Sequence, residues 1–178
     1  MVKSSTSKHS FITRQNILDA TLYLILENGA QNVSLRKIAN RINCSAPSIY
    51  YHFKNKNEII VSLWEQEMAP VIAFSQSCHM LLDILNEYVQ LLIKNKSLFL
   101  LICTNEQTDL EKMNSSRLFQ KSLQDKITAT PHRAEYPEQF TTIILAAIHG
   151  LVLSNTLKTS DYLKAHKLLE QMINLLIK

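Results

Sequence analysis

The stretch that decides the fold is Val33-Ser34-Leu35-Arg36-Lys37-Ile38-Ala39-Asn40-Arg41-Ile42-Asn43-Cys44-Ser45-Ala46-Pro47-Ser48-Ile49-Tyr50-Tyr51-His52-Phe53-Lys54-Asn55-Lys56. Ser34 stands as an N-cap before Leu35, Ile38, Ala39 and Ile42, whose i, i+3, i+4, i+7 spacing marks one apolar helix face. That helix is short and ends at Asn43, one of the few non-glycine residues tolerant of positive φ. Ser45 then caps another short helix, over about Ala46 to Phe53. Pro47 falls in its first turn, where a missing N–H costs nothing. Its inward face is expected to be Ile49, Tyr50 and Phe53. Two short helices across a tight turn, the second opening with small polar residues, read as a helix-turn-helix.

Upstream, a helical pattern begins at Thr13, with Ile17, Thr21, Leu24 and Ile25 on one stripe and Leu18 and Leu22 beside it. It stops at Asn28-Gly29, with Gly29 in the left-handed position just past a helix. Residues 1–10 are Ser- and Lys-rich and are expected to be disordered. Downstream, Lys54-Asn55-Lys56 interrupts, and a further helix is expected from Lys56 or Asn57 through Met68. Pro70 marks a break or kink there; the domain boundary is expected in or near this fourth helix, with domains over 11–70 and 71–178. The second half also reads as helical. Val71–Ile93 has no breaker, Leu98–Cys103 is a short apolar helix, and Asp109 caps a segment running to about Thr128. A loop spans Thr130 to Pro137. Glu138–Leu157 is strongly apolar, and a last helix starts at Ser160 or Asp161 and runs to Ile177. No strand pattern longer than a few residues occurs, so the expected fold class is all-α.

Composition narrows the function. Apolar residues are 46% of the 178, enough for a real core. Lys and Arg number 19 against 15 Asp and Glu. The excess is uneven: residues 1–56 hold 8 basic side chains and 2 acidic ones, the remainder 11 and 13. The N-terminal third thus carries the whole positive balance, as a segment facing a polyanion would. Only two glycines occur, Gly29 and Gly150, so neither a dinucleotide loop nor a P-loop can be built. Cys44, Cys78 and Cys103 make no CxxC pair, which fits a reducing cytoplasm. The apolar runs fall far below the ~20 residues of a membrane helix, and no signal-peptide apolar region opens the chain. A cytoplasmic protein with no membrane partner is expected. There is no GxSxG elbow, metal motif or close acid pair, so an enzyme is not expected.

Asn16-Ile17-Leu18-Asp19-Ala20, Glu27-Asn28-Gly29, Val33 to Ala39 and Ser45 to Lys56 together resemble the DNA-binding domain of the tetracycline-repressor (TetR) family. The likeness covers about residues 12–60, and Ile49-Tyr50-Tyr51-His52-Phe53-Lys54-Asn55-Lys56 is its most specific part. It implies an N-terminal three-helix helix-turn-helix DNA-binding domain and a C-terminal helical ligand-binding and dimerisation domain. The residues suit that role. Ser34 and Ser45 sit at helix N-termini, whose free N–H groups and partial positive charge attract phosphate. Ser48, Tyr50, Tyr51, His52 and Lys56 add phosphate hydrogen bonds. Leu35 and Arg36 lie in the first turn of their helix, a neighbourhood that in the family reaches a base edge; arginine suits guanine O6 and N7. Ala46 and Pro47 have no hydrogen-bonding side chain and would read thymine methyls or shape. Lys3 and Lys8 would follow the backbone as an arm. Asn43 replaces the glycine most common in this turn, and the recognition helix lacks Gln, Asn or Arg at positions 46 and 47. Shape and backbone contacts therefore take a larger share. Cys44 falls where the family has a buried small apolar residue, and reads as an inert core thiol.

For the second domain the resemblance implies a homodimer through the last two long helices and a small ligand among the others. Ile143, Ala147, Gly150, Leu151 and Ser154 recur at helical spacing with small residues that permit close approach, and Leu168, Leu169, Met172, Ile173 and Leu176 form a second stripe. Two such helices per subunit would make a four-helix bundle across a two-fold axis, although packing into the subunit's own core also accounts for both stripes. Dimerisation would set two recognition helices ~34–36 Å apart on a near-palindromic double-stranded DNA operator. Pocket candidates are Trp64, Met68, Phe74, His79, Tyr88, Phe99, Cys103 and His149. No pair has metal-ligand spacing, so neither metal nor cofactor is expected. The function implied is a transcriptional regulator, a repressor released by a small-molecule effector. Control by a protein partner or by abundance alone stays open beside it.

Overall fold

The structure, a computed structural model, describes residues 12–77, 79–129, 136–154 and 162–176. Among these the regular structure is helical, with no strand. The chain divides into two compact units, one up to Ile59 and one from Ile60 onward.

The first unit holds α1 (Arg14–Asn28), α2 (Leu35–Arg41), α3 (Ala46–Tyr50) and the first turn of α4 (Lys56–Ser75). Each start has a local cause. The Thr13 hydroxyl accepts from Asn16 N at 3.1 Å, and the Asn16 side chain accepts in return from Thr13 N. That reciprocal pair occupies backbone donors that a helix N-terminus leaves without intrahelical partners. Gly29, at φ 78°, ends α1 by donating its N–H to the Ile25 carbonyl. Ser34 and Ser45 cap α2 and α3 as the sequence predicts, accepting from Lys37 N and Ser48 N. Between these helices Asn43 stands at φ 53°, and Cys44 N–H donates to the Ala39 carbonyl at 2.9 Å. The left-handed residue turns the chain sharply enough for Ile38 and Ile49 both to be buried in one small core with Ile17, Ile25 and Phe53.

The second unit holds the rest of α4, with α5 (Leu81–Lys94), α6 (Lys96–Thr104), α7 (Asn114–Thr128), α8 (Pro137–Leu153) and α9 (Tyr162–Leu176). Helix α5 is central and packs against α6, α7, α8 and α9. Polar ties fix its neighbours. The Glu65 carboxylate accepts from Ser115 N at 3.0 Å, placing negative charge at the N-terminus of α7. The Lys96 ammonium donates to the Val152 carbonyl in the last turn of α8, and Asn86 bonds His166 at 2.7 Å.

Several boundaries differ from the sequence reading. Helix α4 runs through Pro70, where the sequence reads a break or kink. Pro70 is exposed while Met68 and Val71 beside it are buried, so the ring and the lost hydrogen bond fall on the solvent side. The unbroken stretch expected over Val71–Ile93 is interrupted between Ser75 and Leu81, where the Ser75 and Ser77 hydroxyls donate back to the Ile72 and Ala73 carbonyls. Asp109 does not cap α7: a short 3-10 turn, Leu110–Lys112, intervenes, and the Asp109 carboxylate meets the Lys112 ammonium at 2.7 Å. Residues 1–10 and most of the loop expected from Thr130 lie outside the described residues.

The left-handed turn gives a direct stability test. Asn43→Ala should cost about 1–2 kcal/mol of the first unit's stability, because a Cβ without a local hydrogen bond is penalised at positive φ. Asn43→Gly should lower it by far less or raise it. Urea unfolding followed by circular dichroism compares the two.

Candidate functional site

The surface formed by α2, α3 and the residues after α3 carries the described residues that the sequence reading assigns to DNA contact. Ser45 is exposed, and its hydroxyl bonds both Ser48 N and the Ser48 hydroxyl, the latter at 2.8 Å. Tyr51 is 88% exposed and Tyr50 56%. The expected inward face of α3 is therefore corrected: Ile49 and Phe53 are buried, one helical turn apart, whereas Tyr50 is turned about 100° further round and points outward. The Tyr51 and His52 rings stand nearly perpendicular, centroids 5.2 Å apart at 88°. Ser34, Arg36 and Pro47 are exposed; Leu35, Ala46, Ser48, His52 and Lys56 are half-buried. Lys3 and Lys8 lie outside the described residues. Cys44 is half-buried, and burial raises its thiol pKa, which keeps it protonated.

The sequence reading missed what holds this surface in place. Arg14, at the first position of α1, reaches across to the end of the recognition segment. Its guanidinium donates to the His52 carbonyl at 2.5 Å, lies over the Phe53 ring at 4.0 Å, and meets the Glu58 carboxylate at 3.7 Å. Glu58 in turn accepts from Lys54 N at 2.7 Å, while Glu58 N donates to the Asn55 side chain at 2.8 Å. These bonds fix the segment between Tyr51 and Lys56 from both ends. No periodic pattern in the sequence announces a contact between residues 38 positions apart.

The second unit contains a cavity of about 650 Å³. Of the expected pocket residues, Met68, Tyr88, Cys103 and His149 line it. Phe99 stands 5.0 Å behind the His149 ring and Trp64 stacks on Phe99 at 5.7 Å, so both support the wall rather than form it. Phe74 and His79 stack on each other at 3.6 Å and do not line it. Further lining residues, among them Glu106, Asp109, Phe119, Thr142, Leu145 and Ala146, were missed, because nothing in their spacing sets them apart from other positions on or before α7 and α8. The Tyr88 hydroxyl and His149 Nε2 are 2.7 Å apart. Burial pushes His149 down to about 4, and burial with the nearby Cys103 pushes the Tyr88 phenol up, so both are neutral near pH 7. A larger groove of about 720 Å³ runs along α4 and α5, lined by residues such as Gln66, Glu87 and Gln90, and holds none of the expected ones.

The two stripes expected at a dimer interface separate. On α8, Ile143 is 52% exposed, Gly150 and Ser154 are exposed, and Ala147 and Leu151 are half-buried. On α9, Leu169 is 1% exposed and serves its own unit's core, whereas Leu168 and Met172 are half-buried. The side chains of Ile173 and Leu176 lie outside those described. No helix among the described residues is long and apolar enough to cross a membrane. No group of three or more His, Cys, Asp or Glu among them is placed to hold a metal ion.

Residues 17–63 match the family described as bacterial regulatory proteins, tetR family. The chain is 37% identical over 60 residues to the HTH-type transcriptional regulator AcrR of Shigella flexneri, covering 34% of this chain and 28% of that protein. It is 38% identical over 56 residues to the fatty acid metabolism regulator protein of Bacillus subtilis, covering 32% and 29%. The matched segment thus spans less than a third of these curated relatives. The fold continues beyond it: a transcriptional regulator from Aquifex aeolicus superposes with a TM-score of 0.69 at 21% identity, covering 92% of this chain and 98% of that one.

Two outcomes follow from this geometry. Because the folded His149 titrates below the unfolded imidazole, the unfolded chain binds the extra proton first as pH falls. The thermal midpoint should therefore fall between about pH 6.5 and pH 4, and less steeply in His149→Gln. Arg14→Ala should weaken DNA binding roughly tenfold while leaving the slope of log affinity against log salt unchanged, as a positioning residue would; loss of a direct phosphate contact lowers that slope by about 0.9.

Proposed function

We propose that the chain is a DNA-binding transcriptional repressor that acts as a homodimer in the cytoplasm. The DNA-binding domain would cover 11–70, and the helical ligand-binding and dimerisation domain 71–178. The observation that carries this reading is the surface around α3: a tyrosine 88% exposed at the end of a capped helix-turn-helix, on a segment tied down by Arg14 and Glu58. A soluble monomer gains nothing by exposing such a ring, whereas its hydroxyl reaches a phosphate oxygen readily. Ser34, Ser45, Ser48, Tyr50, Tyr51, His52 and Lys56 meet phosphates. Arg36 reaches a base edge, and Leu35, Ala46 and Pro47 read methyl groups and shape.

The exposed stripe on α8 from Ile143 to Ser154 supports pairing of two subunits, with α9 contributing through Leu168 and Met172. Pairing duplicates the α3 surface about a two-fold axis and fits a near-palindromic operator. The cavity beside Tyr88 and His149 supports release by a small molecule. Such a ligand shifts the protein between DNA-binding and non-binding arrangements only by its differential affinity for them, a coupling of ~1–3 kcal/mol.

Fluorescence anisotropy on DNA from around its own gene tests the reading. Sequence-selective, salt-sensitive binding is expected. Tyr51→Ala and Lys56→Ala should each weaken it, and Lys56→Ala should also lower the salt slope by about 1. Variants that stay folded and dimeric yet bind unchanged across ionic strengths would place the duplex on another surface.

A further inference from the structure

The charge of the cavity wall narrows what can enter it. Among the described residues its lining includes two carboxylates, Glu106 and Asp109, and no Lys or Arg. Asp109 is already paired with Lys112. Glu106 sits in an ordered turn after α6, where the Thr108 hydroxyl donates to the Ile102 carbonyl at 2.7 Å and Gln107 N donates to the Asn105 side chain. No hydrogen bond or ion pair engages the Glu106 carboxylate among the described residues. The remaining titratable groups on the wall are neutral: the Tyr88 phenol, the Cys103 thiol and the His149 imidazole. The inner wall is apolar and aromatic, with Phe119 and Tyr88 rings 4.6 Å apart and Leu145 and Met68 beside them. An acid entering this space would bring a negative charge against the Glu106 carboxylate, and Lys112, the cation beside the wall, is already paired with Asp109. An organic cation would find a counter-charge at the mouth and ring faces within.

We infer that this cavity takes a monovalent organic cation with an apolar body, and that Glu106 supplies its counter-charge. The inference rests on the reading of the cavity as a ligand site and adds the class of ligand. A cavity of about 650 Å³ falls within the size range of small-molecule sites.

Three probes of similar bulk separate charge from fit: tetraphenylphosphonium, neutral triphenylphosphine oxide and tetraphenylborate, each titrated into the full chain by calorimetry. Saturable binding of the phosphonium is expected, with the neutral probe weaker and the borate at least tenfold weaker. Glu106→Gln should lower phosphonium affinity roughly fivefold, the scale of one partly exposed ion pair, with the neutral probe unaffected. Ala146→Trp, which adds bulk at an exposed wall position, should abolish binding of both. Equal or tighter binding of the neutral probe or the borate, abolished by Ala146→Trp, overturns the cation assignment and leaves the cavity reading standing. Phosphonium binding indifferent to Glu106→Gln overturns the role of that carboxylate. Binding indifferent to Ala146→Trp, or no binding of any probe, overturns the ligand-site reading together with the inference.

Discussion

Helix α3 has five residues, far short of the length at which an isolated helix persists in water. It exists because Ile49 inside it and Phe53 just beyond it are buried among α1 and α2 residues, and because Ser45 closes its first turn. Everything proposed for the DNA-facing surface depends on that burial. Remove the apolar anchor and there is no helix to present Tyr50 and Tyr51, however exposed they are. The surface itself contributes little to stability. Its side chains face water and can be chosen for what they meet rather than for what they hold together.

Arg14 shows how the same unit orders residues that burial does not reach. The chain between Tyr51 and Lys56 has no regular structure, so its carbonyls and N–H groups need partners from elsewhere. One guanidinium supplies a donor to the His52 carbonyl and a charge to Glu58, while its flat face covers Phe53. Glu58 passes the restraint on to Lys54 N. A lysine at position 14 would keep the charge and lose the planar fit. In the second unit the comparable device is the pair of opposite charges at helix ends, Glu65 at the start of α7 and Lys96 at the finish of α8, each of which satisfies backbone groups as well as orienting a helix.

Much of the fold was legible because it is written locally. Thr13, Ser34 and Ser45 announce helix starts, and Gly29 and Asn43 announce stops that depend on one residue's φ. Apolar spacing then assigns the buried faces. What failed was of another kind. Tyr50 reads as apolar by composition, yet in so short a helix the 100° step carries it out of the core. Pro70 reads as a break, but a proline on the exposed side of a well-packed helix disturbs it little. The cavity could not be assembled from spacing: Tyr88 and His149 lie 61 positions apart, and no rule of period links them. Phe74 and His79, equally aromatic and as plausible on paper, satisfy each other instead. Leu169 and Ile143 belong to stripes of similar strength, and only packing distinguishes the one turned inward from the one left bare.

The confinement of the first unit's ties to its own residues has a kinetic consequence. Its cross-chain restraints join residues no further apart than Arg14 and Glu58, and its core joins neighbouring helices. Loop-closure entropy grows only slowly with length, and these loops all close within the first unit's own residues. Synthesis proceeds from the N-terminus at about 5–20 residues per second, so this unit has time to reach its final shape while α5 to α9 are still being made. The unit proposed to meet DNA is then formed before the unit proposed to control its release.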